Sequence, residues 1–274
     1  TAISELFKNA HDAYADHVEV DLFSSDLLLV IRDDGIGMTP EEFESNWLVL
    51  GTDSKISSAL GKESYRPPHK AERAVMGEKG IGRLAIAFLG PQVLVLTRSE
   101  REKKNTLSMC YIHWGLFDQP FLNLEDVEIP ICRISSGELP SERDVAELLN
   151  QNAANIRKLQ IDFPLCNLKS VLKDLSDFQV DPRDFEQSVQ GLSLASRKSG
   201  THFYIAPAYE TILADIKAER ETNTKEFTKC LLGFCNSTFG MDSAPPIATA
   251  FRFWSTDNAF DDLIGANEFF TQED

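Results

Sequence analysis

The sequence predicts an α+β fold in which a mixed, mostly antiparallel sheet carries helices on one face. The chain opens with apolar residues at helical spacing over residues 3–14, which indicates an amphipathic helix. One strand pair over residues 18–31 and a second over 92–114 each turn at a short polar segment, as antiparallel hairpins do. Because helical segments alternate with these strand pairs, we expect one sheet that packs against helices.

The second strand of the first pair is apolar throughout residues 27–31, which is typical of a strand buried on both faces. It ends in the segment 32–38, which contains two glycines. Thr39 and Glu42 then form a capping-box pattern around a first-turn proline, which predicts a helix to about Leu48. The sequence therefore places a glycine-containing loop between a buried strand and a helix.

Residues 51–76 lack periodicity and combine Gly, Ser, Pro and basic residues, the composition of a long loop. A glycine-rich segment, 77–82, follows this loop and leads into a short apolar helix over 83–89. Long loops in compact domains are usually functional, so we expect this region to take part in a site.

The second half of the chain is less regular, and from residue 115 onward the patterns that indicate helices and strands are weak. They predict helices near 141–150, 167–175, 182–190 and within 209–235, and strands near 159–163, 202–206 and 247–254. We expect a first domain over 1–240 with an insertion at about 115–199, then a linker and the truncated start of a following domain over 241–274. Because the chain begins with Thr1 rather than Met, we expect a fragment of a longer protein.

Composition excludes several classes of protein. The chain has 274 residues and a net charge of −16, so we expect no direct binding to nucleic acid, whose phosphates a surface this acidic repels. No apolar run approaches the roughly 20 residues of a membrane-spanning helix, so we expect no membrane partner. Five scattered cysteines without a C-x-x-C pair indicate free thiols and a cytoplasmic location.

Three polar residues of the first helix lie on one face. Glu5, Asn9 and Asp12 fall within about 60° of arc, so they can converge on one ligand. An amide oxygen is a hard ligand suited to Mg²⁺, and a carboxylate can take a proton from an attacking water. The alternative interpretation of such a pattern is a solvated helix face.

Two glycine motifs flank the long loop. Residues 33–37 form D-x-G-x-G at the end of a strand, where glycines let the backbone approach a ligand and an acid can accept hydrogen bonds from an amino group. Residues 77–82 form G-x-x-G-x-G before a helix, a pattern whose free amides can cradle phosphate. Each motif alone also occurs in ordinary turns.

The order and spacing of these motifs over residues 3–206 resemble the GHKL ATPase superfamily, which includes DNA gyrase B, the ninety-kilodalton heat-shock chaperone, histidine kinases and MutL. Segments 5–13, 47–55 and 76–83 look closest to the chaperone, MutL and MORC-like branch, of bacterial type. The resemblance implies the Bergerat fold, a two-layer α/β sandwich with a long ATP lid. Residues 115–199 are longer than a minimal member needs.

The resemblance also implies roles for individual residues. Glu5 corresponds to the general base, Asn9 to the Mg²⁺ ligand, Asp12 to a group that positions water, and Asp33 to the acceptor for the adenine amino group. Further cofactor-binding positions are Gly35, Gly37 and Met38 at the adenine wall, Thr52 at the lid hinge, Gly77, Lys79, Gly80, Ile81 and Gly82 at the phosphates, and Thr201 at the adenine through a water.

On this resemblance the expected function is Mg²⁺-dependent binding and hydrolysis of ATP to ADP, with lid closure and nucleotide-dependent homodimerisation as a conformational clamp. A downstream domain or partner protein would receive the signal. Bacterial proteins with this motif set include suspected anti-phage defence ATPases, which suggests that role by analogy. Two alternatives remain open: histidine-kinase-type phosphotransfer, and an ATP-gated scaffold without turnover.

Overall fold

A computed structural model describes residues 2–48, 65–76, 82–214, 216, 247–254 and 260–264. In these ranges the helices are α1 (Ala2–Asp12), α2 (Pro40–Glu42), α3 (Glu142–Asp162), α4 (Lys169–Asp177) and α5 (Pro182–Ser188). The strands are β1 (His17–Phe23), β2 (Leu28–Asp33), β3 (Gln92–Arg98), β4 (Leu107–His113), β5 (Ile131–Ile134), β6 (Gly200–Ile205), β7 (Ala248–Trp254) and β8 (Phe260–Ile264). A π-helical turn (Phe43–Trp47) continues α2, and 3₁₀ helices cover Gly82–Phe88, Trp114–Leu116 and Leu124–Asp126.

The eight strands form one sheet in the order β5-β4-β3-β6-β2-β1-β7-β8. Every neighbouring pair is antiparallel except β1 and β7, which are parallel. The predicted fold class, α+β with a mixed, mostly antiparallel sheet, is therefore confirmed. Both predicted hairpins form, and the capping box of Thr39 and Glu42 is present at the start of α2.

Helices cover both faces of the sheet, whereas the sequence predicted them on one. On what we call the front face, α1 packs against the helix 82–88 and against alternate strand residues such as Val20, Ile31 and Val95. On the back face, α3, α4 and α5 pack against the other alternate residues, such as Val30 and Leu94. The second helical layer comes from residues 115–199, which we call the insertion because one is expected there from the sequence, and whose packing the weak sequence patterns did not reveal.

The insertion contains the longest described helix. Ser141 caps α3 together with Asp144, and α3 continues for 21 residues to Asp162. The strand predicted near 159–163 is wrong, because Leu159 extends the helical series of buried residues while Ile161 is 78% exposed. A short helical stretch of alternating residues looks like a strand when the helix is judged to end too early.

The strand over 248–254 was expected to begin a following domain, but it lies within this sheet. β7 runs parallel to β1, with Val20 opposite Phe251. Phe251 and Phe253 belong to the same core as α1. The apolar face of β7 thus completes the front core, which explains why its sequence alternates from Thr249 to Phe253.

Candidate nucleotide-binding site

Three neighbouring strands place polar residues side by side on the front face of the sheet. Asp33 of β2 pairs with Thr201 of β6, and Thr201 pairs with Thr97 of β3. All three side chains are buried, and the hydroxyls of Thr97 and Thr201 lie 3.2 Å apart. Because the surrounding front-face residues are apolar, this polar row is a distinct feature of the sheet.

Thr97 joins the row to the loop that follows β2, a role that sequence reasoning missed. Its Oγ1 accepts a hydrogen bond from the backbone N–H of Met38 at 3.0 Å and lies 3.1 Å from the carbonyl of Gly200. The signal available in the sequence was a polar residue, Thr97, directly after the four apolar residues 93–96 of β3. Through Thr97, two predicted site residues, Met38 and Thr201, share one hydrogen-bonding centre.

Glycines are required where this loop approaches neighbouring backbone. Gly37 has a φ of +60°, and a Cβ there would lie 1.9 Å from the carbonyl oxygen of Arg98. A Cβ at Gly35 would lie 2.8 Å from the carbonyl oxygen of Ala13, just beyond α1. The D-x-G-x-G pattern therefore has a packing explanation, since both glycines bring the loop against α1 and β3.

The pKa of Asp33 is raised to about 7, chiefly by burial and to a smaller extent by the neighbouring Asp34, while hydrogen bonds from the backbone of Gly35 and Thr201 oppose the shift. The Gly35 N–H donates to Asp33 Oδ1 at 2.9 Å. Among the described residues no cation forms a salt bridge with Asp33. A carboxyl group buried without a cation is costly to ionise, and its raised pKa makes Asp33 a candidate functional residue.

The predicted residues of α1 are half-buried. Lys8 donates to Glu5 Oε1 at 2.5 Å, and the Glu5 side chain is 37% exposed. Asp12 Oδ1 accepts from the backbone N–H of Met76 at 2.8 Å, so the residue preceding the second glycine motif lies at the C-terminal end of α1. Asn9 lies between these two positions on α1, with its side chain half-buried.

Residues 65–76, which we call the stem, are anchored at two places. Arg73 donates to the carbonyl of Ala15 at 2.8 Å and stacks on Tyr14, while Lys70 pairs with Asp16. At the other end, the guanidinium of Arg101 stacks on Tyr65 at 4.9 Å. Arg101 also donates to both carboxylate oxygens of Glu42 at the start of α2. Sequence reasoning did not identify these anchors.

Several predicted site residues lie outside the described ranges, namely Thr52, Gly77, Lys79, Gly80 and Ile81. Gly82 is described and begins the 3₁₀ helix that packs on α1. Within the described ranges, no group of three or more His, Cys, Asp or Glu residues could hold a metal ion. Mg²⁺ commonly takes one or two protein oxygens and completes its shell with phosphate and water, so the amide oxygen of Asn9 suits it.

Comparison with known proteins places the first part of the chain in a family of ATPases. Residues 1–121 match the family model described as histidine kinase-, DNA gyrase B-, and HSP90-like ATPase. The superfamily resemblance carried by the motifs is thereby confirmed, and the family indicates ATP binding. The chaperone protein HtpG of Shouchella clausii (strain KSM-K16) is 38% identical over 88 residues, which are 32% of this chain and 13% of that chaperone.

One solved structure, described as the N-terminal domain of a DNA repair protein, matches 95% of this chain and 50% of its own length, at 13% identity and a TM-score of 0.42.

In the part of the chain that the structure describes, no helix is both long enough and apolar enough to cross a membrane.

Proposed function

We propose that this chain binds ATP with Mg²⁺ at the front face of the sheet and hydrolyses it. The observation that carries the proposal is the Asp33 carboxylate, which is buried without a cation and lies in register with Thr201. A buried acceptor of this kind is stabilised by a ligand that donates hydrogen bonds. The exocyclic amino group of adenine is such a donor.

In this proposal Asp33 binds the adenine amino group, and Thr201 contacts the base through a water. Gly35, Gly37 and Met38 form the wall beside the base, and the two glycines fix the position of that wall by letting its backbone pack against Ala13 and Arg98. The hydroxyl of Thr97 holds Met38 and Thr201 in place through hydrogen bonds. The base would thus be recognised by hydrogen bonds at its edge.

The triphosphate would extend toward α1, where Asn9 is the proposed Mg²⁺ ligand. Gly77, Lys79, Gly80, Ile81 and Gly82 would supply amides and positive charge to the phosphates. Support comes from the segments that flank 77–81, because Met76 and the 3₁₀ helix that begins at Gly82 both contact α1. The metal, when bound, would neutralise charge that develops on the phosphates.

Hydrolysis would require Glu5 to orient a water in line with the γ-phosphate and accept its proton, with Asp12 helping to position that water. In the structure Glu5 is engaged by Lys8. Turnover therefore requires Lys8 to release Glu5 or to move toward the phosphates, which would make the reaction slow.

We further propose that nucleotide closes the loop whose stem is anchored at Asp16 and Glu42, and that closure promotes a homodimer that acts on a downstream domain or partner protein. Thr52 would belong to the hinge of this loop. A cytoplasmic location is a hypothesis that rests on the scattered cysteines without a C-x-x-C pair, and a role in anti-phage defence is one that rests on the analogy with related bacterial ATPases.

Calorimetry with MgATP tests the binding site, with Asp33→Asn as the variant and Asp34→Asn as its matched control. Asp34 is the adjacent acid, and its carboxylate is engaged by the backbone N–H groups of Asp16 and His17. We expect Asp33→Asn to abolish measurable binding and Asp34→Asn to keep it. Normal affinity in Asp33→Asn would contradict the adenine assignment.

Phosphate release tests hydrolysis. Glu5→Gln should bind MgATP like the wild type and lose most turnover, since it keeps the shape of the side chain and removes the base. Formation of an acid-labile phosphoprotein from labelled ATP, in place of free phosphate, would instead indicate phosphotransfer to histidine.

The ion pair between Lys8 and Glu5 favours a second candidate, a scaffold that binds ATP without turnover. Such a scaffold would dimerise with ATP, as measured by sedimentation, and would release no phosphate above background. Lys8→Gln separates the two candidates, because freeing the base should raise turnover in an ATPase and have no effect on a scaffold.

A further inference from the structure

The insertion contacts the back of the candidate nucleotide site through Arg98. This arginine is fully buried on the back face of β3, and its guanidinium donates to the carbonyls of Gly137 and Glu138, each at 3.0 Å, and to that of Leu194. No carboxylate in the described ranges forms a salt bridge with it. Backbone carbonyls of the insertion therefore hold this buried charge.

Arg32 makes an equivalent connection on β2. Its fully buried guanidinium donates to the carbonyl of Leu192 at 2.8 Å and pairs with Asp21 and Glu19. Glu19 in turn accepts from the backbone N–H of Leu192 at 2.9 Å. The segment around Leu192 is thus bound to two neighbouring strands at once.

Each arginine is the direct chain neighbour of a residue in the front-face row. Arg32 precedes Asp33, and Arg98 follows Thr97. Successive side chains on a strand point to opposite faces, so a contact made by either arginine on the back fixes the backbone that carries the front residue. The carbonyl of Arg98 also lies directly against Gly37.

We infer that Arg98 and Arg32 are positioning residues for the adenine pocket, and that residues 137–138 and 191–194 of the insertion set its geometry through them. This inference rests on the proposed function. Hydrogen-bond readout of a base requires its acceptors to be held within about half an ångström, so a small shift of β2 relative to β3 weakens recognition. The insertion is thereby a control element for base recognition.

The test compares MgATP with the magnesium complex of purine riboside triphosphate, which lacks the exocyclic amino group. Arg98→Lys keeps the charge but cannot reach three carbonyls. Gly191→Ala changes a residue of the insertion and disturbs its contact with β1 and β2, because its Cβ would lie 2.1 Å from Glu19 Oε2 and 2.8 Å from Arg32 Nη2, at a φ of +152°. The matched control is Arg183→Lys, since Arg183 donates to the carbonyl of Leu139 at 3.0 Å within the insertion.

We expect the wild type to prefer ATP, and Arg98→Lys to weaken ATP binding by roughly tenfold while affinity for the amino-lacking analogue changes little. Gly191→Ala should lower the same preference by about threefold, and Arg183→Lys should leave it unchanged. Thermal unfolding confirms that each variant is folded at the assay temperature; if Arg98→Lys is not, Gly191→Ala decides.

An equal loss of affinity for both nucleotides, or an unchanged preference in both variants, would overturn the inference, since a merely structural role gives those results. If the wild type binds neither nucleotide, the proposed function itself has failed. If the wild type binds both equally, the adenine contact through Asp33 is wrong while nucleotide binding stands, and the inference falls with that contact.

Discussion

The backbone N–H of Met76 donates to Asp12 Oδ1 at 2.8 Å, which ties the end of the stem to the C-terminal end of α1. Because Met76 directly precedes the second glycine motif, the bond fixes the point where the chain enters that motif. The bond joins two residues that are 64 positions apart in the chain.

Removal of the acceptor should release the stem at this point. Asp12→Ala should speed hydrogen exchange of the Met76 amide by roughly tenfold, because a charge-assisted bond contributes about 1.5–3 kcal/mol in favourable cases. Asp12→Asn keeps an oxygen acceptor and should show a smaller change. Equal protection in the wild type and Asp12→Ala would show that the bond does not hold the stem.

Asp33 should make stability depend on pH. Its folded-state pKa of about 7 exceeds the unfolded value of about 4, so its favourable contribution is complete below pH 4 and is lost as pH rises to about 7. Asp33→Asn removes this loss and should be more stable than the wild type at pH 8, by up to about 4 kcal/mol. Urea unfolding of the wild type and Asp33→Asn at pH 5 and pH 8 measures the difference between their free energies of unfolding. A difference that is the same at both pH values would contradict the prediction.

The hydroxyl of Thr97 should be essential to the loop that follows β2. Thr97→Val leaves the Met38 N–H and the Thr201 hydroxyl without this partner in a buried place, at a cost of about 1–3 kcal/mol in the free energy of unfolding. Thr97→Ser retains the hydroxyl and should cost less than Thr97→Val. Equal destabilisation by Val and Ser would assign the effect to the lost packing of the methyl group.

The end of β7 should be held to β1 by a buried ion pair. Arg252 donates to Asp21 at 2.6 and 2.8 Å, and the Asp21 side chain is fully buried. Arg252→Met should cost about 3 kcal/mol by urea unfolding, because it strips a buried carboxylate of one of its two cations.

A surface ion pair provides the control for that variant. Arg133 pairs with Glu44, and both side chains are nearly half exposed. Arg133→Met should therefore cost less than about 1 kcal/mol. Comparable losses of stability in Arg252→Met and Arg133→Met would indicate that burial does not strengthen the ion pair between Arg252 and Asp21.

Sequence reasoning identified the parts of the fold that depend on local patterns. The hairpin ending at Asp33, the strand over 92–98 and the cap at Thr39 follow from alternation and capping, which act over a few residues. The second helical layer was not identified, because its packing on the sheet depends on contacts between segments far apart in sequence. Ile161 shows the same limit, since its exposure is set by what α3 packs against.

The candidate site divides in the same way. Asp33, Gly35, Gly37 and Thr201 were named from motifs, and the structure brings them together on two neighbouring strands and the loop that follows β2. Thr97 was missed because its importance comes from strand pairing with β6, which no local pattern encodes. The roles of Arg32 and Arg98 could not be predicted either, because both depend on hydrogen bonds to insertion residues that are far away in the sequence.

The outermost strands of the sheet are short. β5 has four residues and presents Arg133 outward, and β8 has five in the described part of the chain. A short edge with a charged side chain offers few unpaired backbone groups, so one chain gains little by adding its sheet to that of another. At the β5 edge, two copies would therefore have to associate through side-chain surfaces, and this edge is guarded against joining the sheet of a second chain.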